Sequence, residues 1–228
     1  MILPFMAAFS ARALARGALF FLCFTCVFVA AHDAQAIQSQ PSFFGTREVK
    51  STNLKPFKKW NGALARFSRE MAIKKKTPCG ATELNKCNYL KWMAFLKDLR
   101  GKPPLAQIKA VNSYMNRAPY ITDMQNWGVQ DYWETPNEFM ARFGDCEDYA
   151  IAKYISLKFL GFKEDDLRVV ALKDLNLKIG HAVLVVFFKG KTLVLDNQIR
   201  QVVQASTIHH YLPVFSINAK AWWRHIKP

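Results

Sequence analysis

"HAVLVVFFKGKTLVLDNQ", residues 181–198, consists of two apolar runs joined at Lys189–Gly190. Runs rich in Val, Leu and Phe around a Gly-containing turn predict a β-hairpin. A two-residue loop pairs Phe188 with Lys191, which carries Val183 opposite Asp196. That register sets His181 on the same face as Asp196, one diagonal step away and within side-chain reach. A slip of one residue would send the two to opposite faces. A lone histidine at a strand edge is ordinarily structural or solvated. A histidine facing a carboxylate across a hairpin is rarer by chance, and its imidazole has an orienting partner.

Upstream, "FGDCEDYAIAKY" (residues 143–154) places one cysteine among three carboxylates. Asp145 is a good helix N-cap, Cys146 takes the first helical position, and Asp148 falls where a capping-box acid sits. Ala150, Tyr154 and Leu157 mark one face, and Ile151, Ile155 and Phe159 the adjoining one. The helix is therefore expected to be well buried and to end at Gly161. Backbone N–H groups at a helix N-terminus favour a thiolate, whereas Asp145, Glu147 and Asp148 oppose it. Capping needs only one or two of the three acids. Either Cys146 is inert, or something neutralises its neighbours.

Cys146, His181 and Asp196, in that order, match the helix–strand–strand placement of the papain-like and transglutaminase-like catalytic triad. Cys146 would attack an acyl carbon, with His181 moving the proton and Asp196 holding the imidazole tautomer. The Cys146 backbone N–H is a candidate oxyanion donor, with the indole N–H of Trp127 or Trp133 as a second.

Around this core the chain reads as an exported protein. Arg12 and Arg16 precede the uncharged run "GALFFLCFTCVFVAA" (17–31) and then "AQA" (34–36). These are a basic n-region, an h-region and a small-x-small cleavage site, so residues 1–36 are expected to be a signal peptide. The competing reading, an uncleaved anchor, needs a longer run of roughly 20 apolar residues. Residues 37–228 then form one domain. Lys and Arg number 32 against 17 Asp and Glu, a net charge of +15. The charges scatter, and no RNA-binding aromatic signature is present, which argues for partner steering and against nucleic acid. Cys79, Cys87 and Cys146 remain after leader removal. Cys79 and Cys87, flanking a short loop, are expected to be bridged in an oxidising compartment, against the alternative of two free thiols.

The first half reads helical. Phe57, Trp60, Leu64, Phe67 and Met71 form one apolar stripe, and a second helix covers 88–100. Pro103 and Pro104 open a third, with Leu105, Ile108, Val111 and Met115 on one face. The aromatic connector "NWGVQDYWETPNEF" leads to a short helix over 137–143. "LRVVAL" (167–172) adds a strand before the hairpin. The fold class is α+β, a helical N-terminal half packed on an antiparallel sheet.

"GDCEDYAIAKY", "GHAVLVV" and "LDNQ", together with the upstream tryptophans and "YLPVFSIN" (211–218), resemble the bacterial transglutaminase-like cysteine proteinases of the LapG type. The resemblance implies a periplasmic, calcium-dependent endopeptidase. Its substrate would be a large surface adhesin, cut near its N-terminus beside alanine so that biofilm disperses. It also implies an inhibitory partner, an inner-membrane receptor for cyclic di-GMP. Asp145, Glu147 and Asp148 offer the oxygen ligands that Ca²⁺ prefers, though too few for its usual shell. Their spacing alone leaves calcium and simple capping both open; the resemblance implies calcium. No Cys/His cluster has zinc-ligand spacing. Two further readings share these residues: a transglutaminase-like acyltransferase using the same triad, and a non-catalytic binding module.

Overall fold

A computed structural model describes residues 42–72 and 84–227. The expected signal peptide and the expected Cys79–Cys87 bridge lie outside the described residues. Strand β1 (Arg47–Ser51) is followed by helices α1 (Lys58–Ala72), α2 (Leu84–Leu99), α3 (Pro104–Met115), α4 (Asp123–Trp127), α5 (Pro136–Arg142) and α6 (Cys146–Phe159). Strands β2 (Leu167–Asp174), β3 (Ile179–Phe188), β4 (Lys191–Leu195), β5 (Val203–Gln204), β6 (Tyr211–Ile217) and β7 (Trp222–Ile226) complete the chain. The seven strands make one antiparallel sheet in the order β1-β7-β6-β2-β3-β4-β5. The fold is α+β, as the sequence predicts.

Period-two alternation divides the strands between two cores. Leu167, Val169, Leu184, Val186, Leu193 and Leu195 face the helices, packing with Trp60, Trp92, Ile108, Phe139 and Leu157. Val170, Val183, Val185, Phe187 and Val194 face the other way, where Phe43, Ala205 and Ile208 cover them. Fully burying a large apolar side chain contributes about 1.5–3 kcal/mol. The helical side, with the greater number of such residues, carries most of the stability.

Helix α6 is the central element. Every residue from Asp148 to Leu157 is buried, so it has no solvent face and only a weak amphipathic pattern. A helix apolar on all sides belongs inside a core. It ends at Gly161, whose φ of 93° permits the turn into β2. Its N-terminus and the start of β3 lie together at one cleft.

Three details differ from the sequence reading. Leu105, expected on the buried face of α3, is 40% exposed. The face that packs is Gln107, Ile108, Val111, Asn112 and Met115, because Gln107 and Asn112 turn inward to bond the carbonyls of Leu99 and Arg200. Met71 likewise ends the α1 stripe in solvent. Helix α4, five residues long, has too little periodicity to be read from sequence. Its Thr122 cap and the left-handed Gly128 (φ 68°) define it instead.

Candidate active site

The loop before α6 sets the thiol in place. Phe143 takes a left-handed φ of 59°, and the Gly144 carbonyl accepts the Ile121 N–H at 3.0 Å. Asp148 reaches back with both oxygens. Oδ2 accepts the N–H of Asp145 at 3.0 Å, and Oδ1 accepts the N–H of Glu134 at 2.8 Å. It is the expected capping acid, and it also clamps the segment before α5 to the helix start. Cys146 is the first helical residue, as predicted.

The hairpin has the predicted register, with Phe188 opposite Lys191 and Leu184 opposite Leu195. His181 Nε2 lies 2.9 Å from Asp196 Oδ1, and both side chains are buried. Asp196 accepts two more hydrogen bonds, from the Tyr211 hydroxyl at 2.6 Å and the Gln198 N–H at 2.8 Å. Its own carbonyl is pinned by Asn116 Nδ2 at 2.6 Å. Burial opposes ionisation of Asp196. The bonds from His181, Tyr211 and Gln198 outweigh it and hold the carboxyl below its usual value. An ionised Asp196 accepts Nε2–H, which leaves Nδ1 as the basic nitrogen. Gln198 Nε2 stands 3.5 Å from that Nδ1.

Cys146 and His181 line one cleft of about 680 Å³. Phe57, Trp60, Trp133 and Phe215 are its aromatic walls, and Ala171, Gly180 and Ala182 leave room on the side of the imidazole. The thiol itself is far from reactive in this electrostatic setting. Burial and the charges of Glu147 and Asp145 push its pKa well up, and it donates to Glu147 Oε2 at 3.2 Å; the Ala182 backbone works weakly the other way. A protonated thiol bonded to a carboxylate is a poor nucleophile.

The acids that cause this form a larger cluster than the sequence reveals. Ligand oxygens of Asp123, Asp131 and Glu147 lie within 4.8 Å of one another, as do those of Asp123, Asp145 and Asp148. Asp123 Oδ1, Asp145 Oδ1 and Glu134 Oε2 are buried with no hydrogen-bond partner. Burial, and then neighbouring acids, push Glu134 to about 8 and Glu147 to about 9. Orphaned carboxylate oxygens among like charges fit a hard divalent cation. Asp145, Glu147 and Asp148, with Asp123 and Asp131 from the segment before α6, are the carboxylates that could hold one. Asp148, the third acid expected as a ligand, groups with Asp123 and Asp145 while accepting one backbone N–H on each oxygen, which leaves each oxygen a further lone pair. Asp131 in turn pairs with Lys59 at the cleft rim.

One expected role has no support. Trp127 donates its indole N–H to Glu134 Oε1 at 2.7 Å, so it is committed to the acid cluster and not to an oxyanion. Trp133 does line the cleft. Sequence reasoning did not single out Tyr211, Asn116, Gln198, Asp123, Asp131 or Glu134. Asp131 and Glu134 lie in the aromatic connector with Trp127 and Asp123 just before it, and that crowding was the only local signal.

A thiol heading a buried helix and an imidazole–carboxylate pair on the adjoining antiparallel sheet define a cysteine peptidase of transglutaminase-like architecture. The chain belongs to the bacterial transglutaminase-like cysteine proteinase (BTLCP) family, whose pattern matches residues 79–228. Among solved structures it is similar to LapG of Legionella pneumophila, 30% identical, with a TM-score of 0.58 over 71% of this chain and 87% of that one. The calcium-bound form of that protein matches equally well. So does the EGTA-treated form, over 85% of its length. No curated protein matches the chain by sequence.

Proposed function

We propose that this chain is an exported, calcium-dependent endopeptidase acting in the periplasm through Cys146, His181 and Asp196. The observation that carries the reading is one cleft lined by Cys146, His181, Asp145 and Glu147, with the imidazole bonded to Asp196 and orphaned carboxylate oxygens in the adjoining acid cluster. Cys146 passes its Sγ proton to His181 Nδ1, and the sulfur adds to the scissile carbonyl carbon. The imidazolium, held by Asp196, then protonates the leaving amine as the C–N bond breaks, leaving a thioester. Water, deprotonated by His181, cleaves the thioester and restores the thiol. The Cys146 N–H at the helix start faces the developing oxyanion, with Trp133 as the remaining indole candidate.

Calcium fits among Asp145, Glu147, Asp148, Asp123 and Asp131, where its charge would reverse the field that now opposes a thiolate. Drawing Glu147 away also removes the acceptor that holds the thiol proton. LapG of Legionella has been solved both calcium-bound and EGTA-treated, which supports the same ion here. Family membership supports a large surface adhesin as substrate, its release as the route to biofilm dispersal, and a cyclic di-GMP receptor of the inner membrane as inhibitory partner. Among the described residues no helix is long and apolar enough to cross a membrane.

The test incubates the chain, from Ile37 onward, with N-terminal regions of candidate adhesins in calcium or in EGTA. The expected outcome is two fragments with a new N-terminus in calcium, and none in EGTA or with Cys146→Ala. Amine incorporation without new N-termini would replace the peptidase by the acyltransferase. Full-rate cutting in EGTA would reduce the acids to helix caps.

A further inference from the structure

The end of β3 that carries His181 has a backbone edge that the fold leaves open. Lys189 and Gly190 both have positive φ, 50° and 72°, so they form a type I′ turn that closes on a hydrogen-bonded Phe188–Lys191 pair. In an antiparallel ladder such pairs recur at every second residue, so Val186 and Leu184 also direct their N–H and C=O groups at β4. By the same alternation Ala182 and Gly180 point theirs that way, while His181 and Val183 turn theirs to β2. Strand β4, however, ends at Leu195, opposite Leu184. Beyond it Asp196 is engaged with His181 and with the Gln198 N–H, and no strand continues the ladder beside Ala182 and Gly180.

This open edge belongs to the cleft. Gly180, His181 and Ala182 all line it together with Cys146. The Ala182 N–H, aimed as the register requires, bonds the Cys146 sulfur, so the edge runs directly past the thiol. Among the described residues none pairs with the Gly180 backbone groups or the Ala182 carbonyl on this side. The fold does not itself require glycine at 180. Its φ lies outside the left-handed region, and a Cβ there would meet nothing within 4 Å. A glycine inside a strand weakens it, and one with no conformational need marks the close approach of another backbone. Unpaired strand groups beside a reactive centre are a template for an added strand.

We propose that the substrate's main chain, next to the scissile bond, adds to β3 as a short strand, hydrogen-bonded to the Gly180 N–H and C=O and to the Ala182 carbonyl. The inference rests on the peptidase reading above and deepens it, because it specifies the conformation that is cut. The scissile segment is extended and locally unpaired. A helical segment spends its N–H groups internally and cannot dock on this edge.

The test is an N-methyl scan of a synthetic peptide spanning the bond cut in the adhesin fragment, assayed at saturating calcium. A strand presents its main-chain groups to one neighbour at every second residue. Away from the scissile bond, N-methylation at alternate positions should lower kcat/KM by about tenfold or more, and at the intervening positions by less than about threefold. Equal tolerance at every position, or losses without alternation, would overturn the proposal. Gly180→Pro tests the protein side on the whole adhesin fragment. It deletes an N–H that the β2 ladder does not use. It should lower kcat/KM about tenfold, whereas iodoacetamide, which needs no docked peptide, should alkylate Cys146 at the wild-type rate. Undiminished cleavage by a folded Gly180→Pro enzyme refutes the inference. Where that variant does not fold the scan decides alone, and where the short peptide is not cut the variant does. Failure of the underlying reading looks different: Cys146 would be alkylated no faster in the wild type than in His181→Ala, and no adhesin fragment would be cut.

Discussion

Asp196 receives three donated hydrogen bonds, and they are unequal in kind. In the proposed mechanism His181 carries the proton, whereas Tyr211 and the Gln198 N–H only fix the carboxylate that orients it. Removing His181 or Cys146 should cost at least ~10³ in kcat, because each is an indispensable half of the proton and electron flow. Tyr211→Phe removes one bond to a charged acceptor. A bond of that type contributes ~1.5–3 kcal/mol, so kcat should fall by about ten- to a hundredfold, with KM little changed. Steady-state kinetics on a cleavable adhesin fragment separates the two, and a Tyr211→Phe loss as large as that of His181→Ala would make the hydroxyl part of the chemistry. The His181–Asp196 pairing and the helix start at Cys146 were legible because a two-residue turn fixes hairpin register and a capping pattern fixes a helix start. Tyr211, fifteen residues beyond Asp196, had no such local rule to announce it. Nor did Glu134, twelve residues before Cys146: it joins the cluster through tertiary packing alone.

At the level of elements, the start of α6 depends on a position where no side chain is tolerated. A Cβ placed on Gly144 would lie 2.2 Å from Asp148 Oδ2 and 2.8 Å from its Cβ and Cγ. Asp148 cannot give way without releasing the N–H groups of Asp145 and Glu134, which it holds together. Gly144→Ala should therefore destabilise the fold by about 1–3 kcal/mol, as overpacking does, and weaken calcium binding as well. Thermal melts with and without calcium check both effects; a variant that melts like wild type and binds calcium equally would show that the clamp is not needed. The capping role of Asp148 and the burial of α6 could be read from residue types in a twelve-residue window. The outer sheet could not. Strands β1 and β7 pair across most of the chain, Arg47 with Ile226 and Ser51 with Trp222. Arg168 of β2 secures that edge, bonded to Glu48 at 2.6 Å and stacked 3.6 Å from the Trp223 ring centroid. Each contact joins residues with no shared local pattern, so strand existence there is decided by neighbours and not by propensity.

Over the whole molecule, the chelated protein should carry a pH-dependent instability that calcium removes. Glu134 and Glu147 bind protons in the fold up to about 8 and 9, while the unfolded chain releases them near the ordinary 4.5. Below pH 4.5 both states are protonated and nothing is lost. As pH rises above that, the fold holds protons that the unfolded chain has given up, so its stability falls. Lys153 acts with the opposite sign. Its ammonium titrates at about 7 in the fold and at 10.5 when free, so between those values the unfolded chain binds the extra proton and stability recovers. His225, which burial lowers to about 4, also acts with that sign below 6.5, so the net decline is steepest between about pH 6.5 and 7, where only the acids contribute. Calcium needs the carboxylates ionised and expels their protons on binding. Melting temperature measured across pH 5–8 should fall in EGTA but stay level or rise in calcium, so the gap between the curves widens with pH. Calorimetry in two buffers of different ionisation enthalpy should register proton release on calcium binding at pH 7. Parallel melting curves with no proton release would place the ion, if it binds, away from Glu134 and Glu147.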